Sequence, residues 1–349
     1  MVKPSPAFAV IPGAQVHAAL SGREKQVVEI VEDAYRLHGT GRTVNPPSYF
    51  LRFPDRPDAR IIALPASCGG DIGVDGIKWI SSFPANIRSG LPRASAALLL
   101  NDPATGYPFA CMEGSIISAV RTAASAALAA DWLSRDRPRP RRLGIVGTGL
   151  IARYLHTFLA ATGWDFDEVG VHDLRAEYAH EFRSCLERSG ETAPITVHDD
   201  PEDLLRSCDL VLFATVAGRP HVTDPELFAH RPLVLHISLR DLSPEIILRS
   251  ANIVDDIEHC LKADTSVHLA EQHSGGRQFI TGTLYDVMTG TLRPDPSVPL
   301  VFSPFGLGVL DLAVAKYVHD LIHDAGELRV VDGFFHELDR YGQRQTTAD

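Results

Sequence analysis

Arg142-Leu143-Gly144-Ile145-Val146 is a short apolar run that leads straight into Gly147-Thr148-Gly149-Leu150-Ile151-Ala152, and a helical pattern follows at once. Twenty-one positions past Ala152, after the apolar run Val169-Gly170-Val171-His172, stands Asp173. A strand, a Gly-x-Gly-x-x-Ala turn, a helix and a second strand ending in an acid are the parts of a dinucleotide site. The first glycine permits the tight turn, the second lets backbone approach a pyrophosphate, and the third small residue lets helix and strand pack closely. Gly147, Thr148, Gly149, Leu150 and Ile151 are therefore the expected pyrophosphate turn. Asp173 is the expected partner of the adenosine ribose. Its carboxylate repels a 2′-phosphate, so NAD is expected over NADP, a preference that Arg175 weakens slightly. The plain alternative is an ordinary βα turn.

The elements around this turn keep one rhythm. Strands are expected at 142–147, 168–173, 195–198, 209–214, 233–237 and 252–254, with helices near 150–162, 175–189, 201–206 and 244–250. Such alternation implies a parallel sheet with right-handed crossovers, and ligands bind beyond the carboxyl ends of its strands. Thr215 ends the 209–214 strand where the cofactor passes, and Ser238 falls near the nicotinamide end. Past 256 the rhythm weakens. A late helix runs from Gly306 to about 323 and is read as crossing back to the first domain. Phe305-Gly306-Leu307-Gly308, at its start, either closes over the nicotinamide or is a helix-entry turn. The 326–349 tail is polar and is expected to be peripheral.

Upstream the period differs. Residues 1–13 carry three prolines and read as extended. Ser21-Gly22-Arg23-Glu24 reads as a capping box opening a helix over 22–38. Short strands are expected at 49–53, 59–64, 76–81, 96–100 and 107–111, the last two joined by the Asn101–Gly106 turn. An alanine-rich helix spans 115–133. Ser134 to Arg141, rich in proline and arginine, reads as a linker rather than a nucleic-acid patch, because it is short and the chain is acidic. The fold class is α/β: a Rossmann-type parallel-sheet NAD domain at 137–305, plus an α+β substrate-binding and dimerisation domain at 1–136, completed by 306–349.

A length of 349 residues suits two domains, and the net charge of −11 argues against nonspecific nucleic-acid binding. Five scattered cysteines form no Cys-x-x-Cys pair, which suggests neither disulfides nor zinc. No His-x-x-x-His or carboxylate cluster at metal spacing stands out, so no metal is expected. No signal peptide is apparent and no apolar run approaches about 18 residues, so a cytoplasmic protein without a membrane span is expected.

Gly76-Ile77-Lys78-Trp79, Glu113-Gly114, Arg121-Thr122-Ala123-Ala124 and the Gly147 turn together resemble the ornithine cyclodeaminase/mu-crystallin family over nearly the whole chain. Longer strings resemble its 2,3-diaminopropionate biosynthesis branch: Ile61 to Ala66, Ser238 to Leu248, Asn252 to Asp256, His259 to Ala263 and Phe302 to Gly306. That branch serves siderophore and peptide-antibiotic biosynthesis. The resemblance implies NAD-dependent oxidation of N-(2-amino-2-carboxyethyl)-L-glutamate to 2-oxoglutarate and L-2,3-diaminopropionate, and a homodimer formed through the first domain's sheet. The substrate is a secondary amine with carboxylates on both arms, so cations in a dry site are required.

Lys78 lies inside an apolar strand, where periodicity leaves it facing either solvent or a pocket. The resemblance puts it at the substrate, with a proton-exchange role if burial and neighbouring cations shift it. Arg121 sits among alanines and either points outward or, as the resemblance implies, grips a carboxylate or the pyrophosphate. Thr122 would then donate to a cofactor phosphate. Arg52 is the candidate for the family's early-strand arginine at the substrate. Asp241 matches the family's proton-handling aspartate by position, although the following residues differ. A helix N-cap before Pro244-Glu245 is its other reading. Arg240 beside it would steady its charge or touch substrate. The competing functions are ornithine cyclodeamination, ketimine or imino-acid reduction, and non-enzymatic ligand binding of the mu-crystallin kind.

Overall fold

Hydrophobic period changes from two to a βα alternation near Arg142, and the fold divides along similar lines. A computed structural model describes residues 6–336, so expectations for 1–5 and 337–349 lie outside the described residues. The chain begins with β1 (Ala9–Ile11), α1 (Gly13–Leu20), α2 (Glu24–Gly39), β2 (Thr43–Val44), β3 (Tyr49–Phe53), β4 (Arg56–Cys68), β5 (Val74–Ser82), β6 (Ala94–Asn101), β7 (Pro108–Glu113) and α3 (Ser115–Leu133). It continues through β8 (Arg142–Val146), α4 (Leu150–Ala161), β9 (Glu168–His172), α5 (Ala176–Arg188), β10 (Ile195–Val197), α6 (Pro201–Ser207), β11 (Leu210–Phe213), β12 (Leu233–His236), α7 (Pro244–Leu248) and β13 (Ala251–Val254). It closes with α8 (Ile257–Cys260), α9 (Ser266–Ser274), β14 (Ile280–Thr283), α10 (Leu284–Met288), β15 (Leu300–Ser303) and α11 (Gly308–Asp324).

These elements form two units. One holds the residues up to Ser21, Gly41–Ile117 and those from Asp311 on; the other holds Gly22–Thr40 and Ser118–Leu310. This departs from the expected cuts at 136 and 306. α2 belongs with the parallel-sheet unit, and the boundaries fall inside α3 and α11 rather than in the linker.

In the first unit a sheet of order β1-β7-β6-β5-β4-β2, with β3 added on β4, is antiparallel except where β1 runs parallel to β7. Side chains alternate across it, so one face carries the row Leu64–Lys78–Leu98, sealed from solvent. The other face carries Ala63–Trp79–Ala97, with Tyr49, Leu51, Trp79 and Leu99 exposed.

In the second unit eight parallel strands run in the order β10-β9-β8-β11-β12-β15-β13-β14. Every residue of β11, β12, β13 and β15 is buried, which suits apolar runs covered on both faces.

Three expectations need correction. The extended chain expected over 1–13 gives way at Gly13 to α1, a helix that the sequence reading did not include, and Ser21 does not cap α2. Its hydroxyl donates to the His17 carbonyl at the end of α1, while Arg23 occupies the N-cap without a side-chain bond. Past 256 the sheet continues through β14 and β15, four-residue strands too short to set a period. Finally, α3 is long and apolar enough to cross a bilayer by length and composition, but 67% of the window is buried, and Ala123, Ala124 and Ala126 are wholly inaccessible. It is a core helix.

Candidate functional site

The carboxyl edge of the parallel sheet is built by the turns after β8, β9, β11 and β12. Gly147 has φ +88°, and a Cβ there would lie 2.8 Å from the Ala214 carbonyl oxygen and 2.9 Å from the Thr215 nitrogen. Only glycine fits this approach of two turns. Gly149 is the N-cap of α4 and supplies no side-chain cap, and nothing lies within 4 Å of where its Cβ would stand. The first amides of α4, at Leu150 and Ile151, therefore face an open cradle at the positive end of the helix, which suits a pyrophosphate. Asp173 is braced against that cradle. Its Oδ2 accepts from the Thr148 amide and hydroxyl, each at 2.9 Å, and its Oδ1 accepts from the Arg175 amide at 3.1 Å. A carboxylate has about four acceptor positions, so Oδ1 keeps one for a ribose hydroxyl. The Arg175 guanidinium turns instead to the Tyr178 hydroxyl at 3.0 Å.

Asp241 is fully buried on the same edge. Its Oδ1 accepts from the Thr215 hydroxyl and from His221 Nε2 at 3.1 Å. Its Oδ2 accepts from the Ser238 hydroxyl and stands 3.1 Å from His236 Nε2. His236 is completely buried, with Nδ1 3.2 Å from the Ser303 hydroxyl. Burial alone would push the Asp241 carboxyl up, but the bonds from His221, His236 and Ser238 hold it well below the usual carboxylate range. The helix-cap reading is overturned, since the N-cap of α7 is Ser243. Thr215 and Ser238, expected at the cofactor, here give their hydroxyl protons to Asp241. Arg240 donates to the Ala263 carbonyl at 2.6 and 3.2 Å. Leu239, between them, holds φ +72°, a strained turn of the kind that functional sites retain.

Arg121 lies against the turn before α11. A Cβ on Gly306, whose φ is +96°, would fall 2.7 Å from Arg121 Nη1. That turn is tied down by Asp255, which is buried and accepts from the Phe305 amide at 2.9 Å and the Gly306 amide at 2.7 Å. Burial raises the Asp255 carboxyl in spite of these donors. Thr122 gives its hydroxyl proton to the Ser118 carbonyl at 2.7 Å, so in this arrangement it has none for a phosphate.

In the first unit Lys78 is 2% exposed and its Nζ lies 2.5 Å from Asp311 Oδ2, itself fully buried. The solvent-facing alternative is overturned, and the neighbour the structure gives is an anion. Arg52 is exposed and stands opposite Arg60, which stands opposite Ser82. That row shares the Lys78 face, four residues farther along β5. Arg93 donates to the Ser82 hydroxyl at 2.7 Å. Asp311, His221, Arg60 and Arg93 escaped the sequence reading, whereas His236 and His259 were the histidines it put nearest the site. Asp311 alone had a signal, as an acid inside the apolar run opening α11. His319 and His323 do stand at His-x-x-x-His spacing and stack at 6.0 Å, but among the described residues no group of three metal-ligating side chains occurs.

Fold and turn together define a dinucleotide-binding protein of the doubly wound class. A model of the ornithine cyclodeaminase/mu-crystallin family matches residues 14–326, and the chain belongs to that family. An alanine dehydrogenase of Archaeoglobus fulgidus is 30% identical over 303 residues, covering 84% of this chain and 89% of the relative. An N-((2S)-2-amino-2-carboxyethyl)-L-glutamate dehydrogenase of Staphylococcus aureus is 27% identical over 308 residues, covering 85% and 90%. Among solved structures, an archaeal alanine dehydrogenase dimer with bound NAD matches with a TM-score of 0.83 at 26% identity, covering 94% of this chain and 100% of that one.

Proposed function

We propose that this protein is an NAD-dependent dehydrogenase that oxidises the secondary amine of N-(2-amino-2-carboxyethyl)-L-glutamate, and that the imine is hydrolysed to 2-oxoglutarate and L-2,3-diaminopropionate. The observation that carries the reading is the pair of imidazoles, His221 and His236, held against Asp241 on the same sheet edge as the Gly147 turn. An amine oxidation needs a proton acceptor beside its dinucleotide. NAD is the cofactor, held by the amides of the Gly147–Ile151 turn and by Asp173. When bound, it takes up the hydride that leaves the substrate carbon.

The chain's own residues bind, orient and move protons. Lys78, Arg52 and Arg121 are assigned to the substrate carboxylates. Arg52 supports this as an exposed cation on the same sheet face as Lys78. The Lys78 ammonium, fixed by Asp311, is presented in one orientation. Asp241 steadies the positive charge that arises when a neighbouring base takes the amine proton.

The choice of substrate is supported by the Staphylococcus aureus relative, and a role in siderophore or peptide-antibiotic biosynthesis goes with it. A second reading, oxidation of alanine, is supported by the Archaeoglobus fulgidus relative. Purified protein with NAD should form NADH and 2-oxoglutarate from the glutamate conjugate. NADH from alanine with none from the conjugate would move the assignment to alanine. Ammonia from ornithine without net NADH would move it to cyclodeamination. A cytoplasmic setting belongs to the same reading, in keeping with cysteines that are all free. So does a homodimer formed through the exposed apolar face around Trp79.

A further inference from the structure

Asp241 is an unpromising proton acceptor. It has no exposed surface, and its oxygens already accept from Thr215, His221 and Ser238, while His236 Nε2, 3.1 Å from Oδ2, accepts from the Asp241 amide at 3.1 Å. Of these partners His221 has the accessible imidazole, 42% exposed, while His236 is sealed. The ring is held firmly: the amides of His221 and Val222 both donate to the Asp241 carbonyl, at 3.0 and 2.9 Å. An ionised carboxylate has no proton to give, so the 3.1 Å contact requires the proton on His221 Nε2. Nδ1 then carries the lone pair, and it has no hydrogen-bond partner among the described residues. The loop carrying His221 begins at Ala214-Thr215, the same backbone that crowds Gly147, which places it beside the pyrophosphate turn.

We propose that His221 is the residue that takes the amine proton, through Nδ1, with Asp241 and His236 behind it as positioning residues. The proposal rests on the amine-oxidation reading above. The substrate C–H bond breaks with its electron pair leaving to NAD, a C=N bond forms, and the N–H proton passes to Nδ1. The balance is amine plus NAD⁺ giving imine, NADH and a proton. The imidazolium keeps its Nε2 proton on Asp241 and releases the other to water. The charged group against the ring is Asp241, with His236 from β12 on its other oxygen; Arg219 lies two residues earlier on the same loop, and the Arg240 guanidinium donates to the Ala263 carbonyl.

The test uses His221→Gln and His221→Ala, changes at a half-exposed ring. Expected is a loss of kcat of about 100-fold or more in His221→Gln. The acid limb of the kcat–pH profile should disappear, KM for NAD should change little, and added imidazole should partly restore His221→Ala. Independently of turnover, nitrogen NMR of the cofactor-free protein should find His221 as the Nε2–H tautomer. Wild-type turnover and an intact acid limb in His221→Gln, or a proton on Nδ1 at neutral pH, would overturn the role. A wild-type protein that forms no NADH from any amine would overturn the amine-oxidation reading, and the role with it. An active wild type with an indifferent His221→Gln overturns the role alone.

Discussion

Lys78 Nζ and Asp311 Oδ2 stand 2.5 Å apart with both side chains sealed from solvent, joining the middle of β5 to the first turns of α11. Removing one partner of such a buried pair costs about 3–5 kcal/mol, because the remaining charge is left in a dry place. Asp311→Ala and Lys78→Met should each lower stability by that order, and Lys78→Met with Asp311→Leu should recover part of it. Urea unfolding of the three variants checks this. None should turn over, and a double variant as active as wild type would remove the pair from the site.

Gly306 leaves no room for a side chain. Gly306→Ala puts a methyl 2.7 Å from Arg121 Nη1 at φ +96°. A backbone strain of about 1–3 kcal/mol is expected, together with a raised KM for the amino-acid substrate as the guanidinium shifts. Steady-state kinetics at saturating NAD separate the two effects; an unchanged KM would place Arg121 away from the substrate.

Thr148 and Asp173 test the cofactor assignment. Asp173→Ala should weaken NAD binding about tenfold or more, the equivalent of about 1.4 kcal/mol, and narrow the preference over NADP. Thr148→Val, which loses one of two donors to Oδ2, should do the same more weakly. Isothermal titration with each dinucleotide measures both.

Acid should unfold the protein partly through Asp241. Its folded carboxyl lies below the unfolded value of about 3.9. The stability it adds is therefore complete above that value and is lost as pH falls toward the folded one. Asp256 acts in the same direction: burial opposes its ionisation, but His259 and His38 outweigh it. Asp241→Asn should flatten, without abolishing, the fall in urea midpoint between roughly pH 5 and pH 3. A slope identical to wild type would mean that the carboxylate is not held down in the folded state.

The exposed face around Trp79 makes a claim about assembly. Light scattering should find a dimer, and Trp79→Glu should give a folded monomer, because Trp79 is 45% exposed and lies outside the core. A dimer that survives the charge uses another surface.

Much of this was legible in the chain because it depends on local period. The βα alternation and the Gly147 turn are written in neighbouring residues, and Asp173 follows at a fixed distance. Lys78 was visible as a charge inside an apolar strand, but its partner lies 233 positions away and no spacing announces it. The same holds for Asp241, whose neighbours Thr215 and His221, from the loop after β11, and His236, from the end of β12, lie 5 to 26 positions away with no spacing that announces them. Ser238 and Thr215 stand at the strand ends where they were expected, and their bonds to Asp241 could not be read from the sequence, since a strand-end hydroxyl serves a cofactor or a buried acid equally well. α1 and β15 escaped because eight and four residues are too few to set a period.

The position of β15 between β12 and β13 has a consequence for synthesis. A nascent chain that stops short of residue 300 possesses β12 and β13 but not the strand that joins them. Each then presents bare amides and carbonyls along a wholly apolar segment, a template for pairing with other chains. The ribosome must therefore deliver nearly the whole sequence before the sheet can close, and C-terminally shortened chains should accumulate as aggregates rather than as smaller folded proteins.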